Sequence, residues 1–156
     1  MKIRVYILSL FFLFLTHCGY EKINQKDNKT FEVVEIYQNG EERINYALKK
    51  AILLNSSKVG LNKIRVNLNS SKAKTPKEKN ITNTITKYSI LLTTNLEVEN
   101  INTNKKFSRN IEKEGFFQVA KTHSETQQFE KNITKDLTNA LAEDIINFLN
   151  ISLKYK

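Results

Sequence analysis

An apolar side chain recurs at every fourth position through the last third of the chain, and this repeat constrains the fold most. The recurring residues are Phe129, Ile133, Leu137, Leu141, Ile145 and Leu149. The spacing is helical, and Ala140 and Phe148 widen the stripe enough to cover a sheet. We therefore predict a long amphipathic helix that packs on a sheet, with Ser124 or Thr126 capping its start.

Four segments upstream of this helix have the composition of strands. They are Phe31–Ile36, Lys63–Asn69, Thr86–Val98 and Lys106–Phe117. The second and third alternate apolar and polar residues, as half-buried strands do. In the fourth, Phe107, Arg109 and Ile111 share one face, and Gly115 is expected to mark a bulge or the strand end.

A second amphipathic helix is predicted between the first two strands. Its apolar residues are Ile44, Ala47, Leu48, Ala51 and Leu54. Glu41 and Glu42 lie in its first turn, where negative charge suits the helix dipole. The later segment from Ser70 to Asn80 holds several lysines, one proline and no apolar residue larger than alanine, so we expect an exposed loop there.

The predicted order is strand, helix, strand, strand, strand, helix (β-α-β-β-β-α). Each element has one apolar face to bury, so the natural packing is an α+β fold with a four-stranded mixed β-sheet and two α-helices packed on one face. The sequence has no internal repeat and no sign of a second domain. We predict a single domain over residues 31–156.

The start of the chain has the pattern of an export signal. Lys2 and Arg4 precede an apolar run from Val5 to Leu15, too short to span a bilayer but typical of a secretory signal. The tetrad Leu15-Thr16-His17-Cys18 resembles the lipobox of bacterial lipoproteins, although that class usually has Gly, Ala or Ser where His17 stands. This predicts a signal peptide over 1–17, acylation of Cys18 and a polar tether over 18–30. The alternative is an ordinary signal followed by an incidental cysteine.

The charge of the chain favours an anionic partner. The formal net charge is +9, and removing Lys2 and Arg4 leaves 23 basic and 16 acidic residues, or +7. Nucleic acid, a membrane surface or an acidic ligand would all suit such a balance. Export to the envelope argues against nucleic acid.

The sequence offers little for catalysis, and we expect a protein without enzymatic activity, cofactor or bound metal. It lacks the spacings of zinc-binding, phosphate-loop and serine-hydrolase motifs. His123 stands alone in a polar stretch and is interpreted as a surface residue. Glu112 and Glu114 share a strand face with no matching acid, so we interpret them as solvated strand charges.

The basic residues are the better candidates for function. Four project from the predicted loop and two from predicted strands: Lys72, Lys74, Lys77, Lys79, Arg65 and Arg109. They could donate charge-assisted hydrogen bonds to phosphate or carboxylate groups of a lipid head group or a partner. The alternative is that these residues form an ordinary solvated surface.

Several short motifs, taken in order, resemble the LptE family of lipopolysaccharide-assembly lipoproteins, and in particular its small alphaproteobacterial members. The motifs are Cys18-Gly19-Tyr20, Arg43-Ile44-Asn45-Tyr46-Ala47-Leu48, Tyr88-Ser89-Ile90, Phe129 and Ala142-Glu143-Asp144-Ile145. They are similar to the family's lipidated start, first helix, long third strand and final helix. The fourth strand departs from the family pattern around Phe107-Ser108-Arg109 and Phe116-Phe117.

This resemblance implies a function that the residues alone do not provide. Members of the family are anchored on the periplasmic side of the outer membrane and plug the lumen of a large β-barrel, LptD. They help that barrel assemble, assist lipopolysaccharide insertion into the outer leaflet and have no catalytic residues. The resemblance thus implies an LptD-like barrel and lipopolysaccharide as partners. The alternative is a membrane-anchored periplasmic adaptor without a lipopolysaccharide role.

Overall fold

Six elements make up the part of the chain that the computed structural model describes, residues 30–58 and 60–154. They are β1 (Phe31–Gly40), α1 (Glu42–Asn55), β2 (Asn62–Lys79), β3 (Ile85–Asn100), β4 (Lys105–Gln118) and α2 (His123–Lys154). The predicted order and the α+β class are confirmed. The predicted signal peptide, Cys18 and the tether up to residue 29 lie outside the described residues.

The four strands form one mixed sheet in the order β1-β2-β3-β4. β1 pairs with β2 in parallel, so α1 serves as the crossover between them, and the other two pairings are antiparallel. β1 has an irregularity between Val33 and Glu35. Its pairing ends at Gly40 opposite Ser70, and β2 continues to Lys79 with no described strand on its outer edge.

The core lies between the sheet and the two helices on one of its faces, as the sequence predicts. The strands bury their inward apolar positions, among them Ile64, Val66 and Leu68, which are fully buried. α1 contributes Ile44, Leu48 and Ile52 to the same core. α2 contributes Leu137, Leu141, Ile145, Leu149 and Leu153. Burial of these side chains is the main source of stability, at roughly 1.5–3 kcal/mol for each large one.

Two residues assigned to the helical stripes lie outside this core. Leu54 is 65% exposed and Phe129 is 44% exposed. On α1 the buried face repeats at Ile44, Leu48 and Ile52, which turns Leu54 outward. On α2 the packing begins at Ile133, which lies partly buried against the core, so the first turns extend beyond it.

The prediction of a loop from Ser70 to Asn80 is wrong, because β2 runs through this segment to Lys79. It pairs with β3 from Ser70 opposite Thr94 to Lys79 opposite Ile85, with irregularities after Pro76. The Ser70 and Thr94 hydroxyl groups form a buried hydrogen bond of 2.9 Å. Backbone pairing, and not an apolar face, holds this segment in the sheet.

Two local predictions for the last third are also wrong. Gly115 interrupts neither the pairing of β4 with β3 nor the strand itself, since it pairs with Ile90 in regular register. A Cβ at this position would lie 2.9 Å from Ile133 Cγ1, so the glycine lets α2 approach β4 closely. The cap of α2 is Thr122, whose hydroxyl group accepts the Glu125 N–H and donates to the Glu125 carboxylate.

Candidate functional site

The sheet face opposite α1 and α2 carries a row of four asparagines, one from each strand. We call this surface the open face, because no described helix covers it. The strand register places Asn39, Asn69, Asn95 and Asn110 side by side, and all four are exposed. Neighbouring strands lie about 4.8 Å apart, so the row spans about 14 Å. Each amide can both donate and accept hydrogen bonds, which makes the centre of the open face polar but uncharged.

An ion-pair network borders this row on the open face. The Arg65 guanidinium donates to Glu35 and to Glu99, each at 2.8 Å. Together with a hydrogen bond from the Tyr37 hydroxyl group, Arg65 lowers the pKa of Glu35. The same carboxylate raises the pKa of Tyr37. Arg65 is therefore held in place by two acidic partners.

A shallow depression of about 510 Å³ lies beside this network. It is lined in part by Tyr37, Asn67, Glu97, Phe107 and Ser108. The Asn67 amide donates to Glu97 at 3.3 Å. The Asn67 Oδ1 atom is buried without a hydrogen-bond partner among the described residues. This acceptor is enclosed by the protein and is not available to a ligand in the depression.

The far end of the open face combines lysines with one aromatic ring. Lys77 Nζ lies 3.2 Å from a Glu114 oxygen and 5.7 Å from the centre of the Phe116 ring. Hydrogen bonds from the Ser89 hydroxyl group and from Lys77 lower the pKa of Glu114. Lys87 pairs with Glu78 at 2.9 Å and also lies over Phe116, which is 49% exposed.

Two other lysines point to the helix side of the sheet and share one carboxylate. Lys72 and Lys74 each lie 2.7 Å from a different oxygen of Glu130 on α2. Hydrogen bonds from Lys72 and then Lys74 lower the pKa of Glu130. The Lys74 ammonium also lies 4.4 Å from the centre of the Tyr88 ring. These contacts tie the end of β2 to the first turns of α2.

The six basic residues singled out in the sequence therefore do not form one site. Arg65 and Lys77 lie at different places on the open face, whereas Lys72 and Lys74 lie on the helix side. Arg109 is also on the helix side, over the Phe148 ring at 5.4 Å. Lys79 is exposed at the end of β2 and has no ion-pair partner within the described part of the chain.

The other titratable candidates lie in ordinary surroundings. His123 is exposed at the start of α2, with its ring 2.9 Å from the Gln127 amide. Glu112 accepts a hydrogen bond from Asn110 on the open face. Among residues 30–58 and 60–154, no three His, Cys, Asp or Glu side chains cluster so as to hold a metal ion. No helix in these ranges has the length and apolar character needed to cross a membrane.

The asparagine row and the role of Glu130 are the features that sequence reasoning missed. The turn between β3 and β4 pairs Asn100 with Lys105, and counting back from it brings Asn95 opposite Asn110. That part of the row could have been found from the sequence. The partners of Glu130 lie 56 and 58 residues away, and no short-range pattern indicates them.

Comparison with known proteins identifies shared architecture only. No protein-family model matches the chain, and no curated protein matches it. A crystal structure of rare lipoprotein B from Shewanella oneidensis has a TM-score of 0.60 at 11% identity, over 76% of this chain and 95% of that one.

Two further solved structures give the same result. The solution structure of uncharacterized lipoprotein B from Nitrosomonas europaea has a TM-score of 0.59 at 8% identity, over 86% of this chain and 94% of that one. A putative lipoprotein from Caulobacter crescentus has a TM-score of 0.56 at 11% identity, over 82% and 93% of the two chains. The chain therefore has the fold of these bacterial lipoproteins.

Proposed function

We propose that the chain is a lipoprotein of the outer membrane that plugs an LptD-like β-barrel. In this role it helps the barrel assemble and assists lipopolysaccharide insertion into the outer leaflet, and it acts by binding, without catalysis. Cys18 carries the lipid anchor, and the folded part lies on the periplasmic side. The shared lipoprotein fold and the lipobox-like start support the anchored location.

The observation that carries this proposal is the asparagine row on the open face. The lumen of a large outer-membrane barrel is lined by polar side chains, because lipid-facing and lumen-facing residues alternate along each strand. A plug surface must therefore exchange hydrogen bonds with a polar wall. A flat row of amides, each able to donate and accept, suits such a wall better than an apolar surface would.

The charges around the row support the same orientation. A lone charge enclosed in a lumen loses hydration, whereas a paired and hydrogen-bonded charge loses less. Arg65 already has two carboxylate partners on the open face, and Lys77 has Glu114. The open face can therefore approach another polar surface without leaving these cations unpaired.

The six basic residues remain our candidates for contacts with the barrel or with lipopolysaccharide. Most of them would have to release an intramolecular partner to bind a ligand phosphate directly. Lys79 is exposed and would need no such exchange, since it has no ion pair among the described residues. We therefore rank Lys79 first among them for mutation.

Site-specific photo-crosslinking in cells tests both the partner and the face. A photoreactive phenylalanine analogue is placed at Asn69 or Asn95 on the open face. The matched control is Tyr46, an aromatic residue on α1 that is 70% exposed. We expect both open-face positions to capture one large β-barrel. Capture from Tyr46 but from neither asparagine would refute the assigned face, and no barrel from any position would count against the plug function.

Two further experiments test the anchor and the stoichiometry. The Cys18→Ala variant should leave an uncleaved precursor or a soluble product, and a variant still acylated and membrane-bound would contradict the assignment. A mild-detergent pull-down of the tagged chain from outer membranes should yield one large barrel in near-equal amount. Loss of the chain should leave lipopolysaccharide stranded on the inner side.

The ion pairs of the basic residues favour one alternative, a membrane-anchored adaptor without a lipopolysaccharide role. Lys72, Lys74, Lys77 and Arg65 all have acidic partners within the protein, so fewer cations are available for a ligand. Barrel depletion separates the two functions. A plug should become unstable and leave its complex, whereas an adaptor should persist unchanged.

A further inference from the structure

A groove between α1 and α2 has a rim composed largely of hydrogen-bond donors. Its volume is about 480 Å³, and it lies on the helix side of the sheet, away from the open face. Gln127, Lys131, Lys135 and Asn139 follow one another at four-residue spacing along α2. They share one side of the helix and form a row of about 18 Å.

The charge of this groove is strongly positive. α1 contributes Arg43 and β2 contributes Lys72, so four cations line it against a single carboxylate, that of Glu130. Glu130 is already shared by Lys72 and by Lys74. Arg43, Lys131 and Lys135 have no acidic partner among the described residues, and all three are exposed.

The described part of the protein does not supply enough carboxylates to balance the cations of this groove. Like charges four residues apart on a helix repel and destabilise it, and Lys131 and Lys135 stand in that relation without a carboxylate between them. The floor includes Ile44 and Ala47, so the groove is not simply a hydrated gap between charged side chains. An external anion would relieve the repulsion.

We propose that this groove binds a phosphate-bearing ligand along α2, with its phosphate oxygens on Arg43, Lys131 and Lys135. A guanidinium group can bind a phosphate in bidentate fashion, and the lysines, whose Cα atoms lie about 6 Å apart along the helix axis, add two ammonium groups. The site does not depend on the proposed function, because the groove and the open face lie on opposite sides of the sheet.

The test measures anion affinity of the full-length chain by isothermal titration in a non-ionic detergent at fixed ionic strength. Inorganic pyrophosphate tests free phosphate, and phosphatidylglycerol carried in the detergent micelles, with lipid-free micelles as the blank, tests a lipid head group. The variant is Lys131→Gln/Lys135→Gln. The control, Lys50→Gln/Lys105→Gln, makes the same change in net charge at exposed lysines outside the groove.

We expect at least a tenfold loss of affinity in the Lys131→Gln/Lys135→Gln variant and less than a twofold change in the control. Binding of either probe supports the site and identifies the source of the phosphate. Equal losses in variant and control would mean attraction by net charge alone and would overturn the proposal. So would the absence of binding of both probes to the unmodified chain.

Folding is not expected to confound this result. Removing the repelling lysine pair should leave the melting temperature of the variant unchanged or slightly raised. Added pyrophosphate should raise the melting temperature of the unmodified chain, because a ligand that binds only the folded state stabilises it. It should not do so for the variant.

Discussion

Replacing Gly40 with alanine should destabilise the fold at the point where β1 ends and β2 continues with only β3 as its partner. Gly40 has a φ of +86°, a conformation that costs an alanine roughly 1–2 kcal/mol. An added Cβ would also lie 2.0 Å from the Ser70 carbonyl oxygen. That oxygen accepts the Glu41 N–H at 2.8 Å, so it cannot move without weakening a hydrogen bond.

These effects can be combined into one expected value. Relieving the overlap costs roughly 1–3 kcal/mol, as overpacking generally does. Restricting the unfolded chain returns about 0.4–1 kcal/mol in favour of alanine. The free energy of unfolding should therefore fall by about 3 kcal/mol, a decrease in melting temperature on the order of 10 °C for a domain of this size.

Urea unfolding of the full-length chain in a non-ionic detergent, followed by circular dichroism, measures this change. The midpoint should fall while the slope stays constant, since the surface exposed on unfolding is unaltered. Gly40→Asn is the informative comparison, because asparagine tolerates positive φ but keeps the Cβ overlap. The free energy of unfolding of Gly40→Asn should lie between that of the unmodified protein and that of Gly40→Ala. An alanine variant within 0.5 kcal/mol of the unmodified protein would refute the reasoning.

Three further changes test the core and the ion pairs. Leu141→Ala should lower the free energy of unfolding by about 2–5 kcal/mol in urea denaturation, because Leu141 is fully buried between α2 and the sheet. Glu130→Gln should cost about 1 kcal/mol at pH 7. The folded-state pKa of Glu130 is lowered, so its contribution is complete above the usual value of 4.5 and is lost as the pH falls through the folded value. The difference in free energy of unfolding between the two proteins should therefore be larger at pH 7 than at pH 3. Arg65→Gln should raise the pKa of Glu35 in an NMR titration, since Arg65 is the main cause of its lowering.

The order of elements could be read from the sequence because the two helices and the second and third strands have a clear apolar period, and the other two strands have a strand-like composition. The helical stripe from Leu137 to Leu149 and the alternation from Ile90 to Val98 both describe faces that the fold buries. The segment after Ser70 has no such period, so its strand conformation could not be predicted. Pairing with β3 and contacts with Glu130 fix it, and both are long-range effects.

The candidate sites could be predicted from the sequence less completely than the fold. Individual basic residues could be singled out, but the sequence does not say which face each occupies. Lys72 and Lys77 lie five residues apart on β2, so strand alternation places them on opposite sides of the sheet, but a segment predicted to be a loop gives no such assignment. The groove between α1 and α2 depends on how the two helices pack against each other, and no local sequence pattern indicates that packing.

The second half of β2 has the composition of a linker, and its unpaired outer edge explains why. A strand whose backbone N–H and C=O groups face solvent invites other chains to extend the sheet, which is a common route to aggregation. Pro76 offers no N–H there, and the lysines from Lys72 to Lys79 make an approaching strand of the same kind repel. The residues that give this segment its linker-like composition are therefore suited to keeping the outer edge of β2 unpaired while the chain folds.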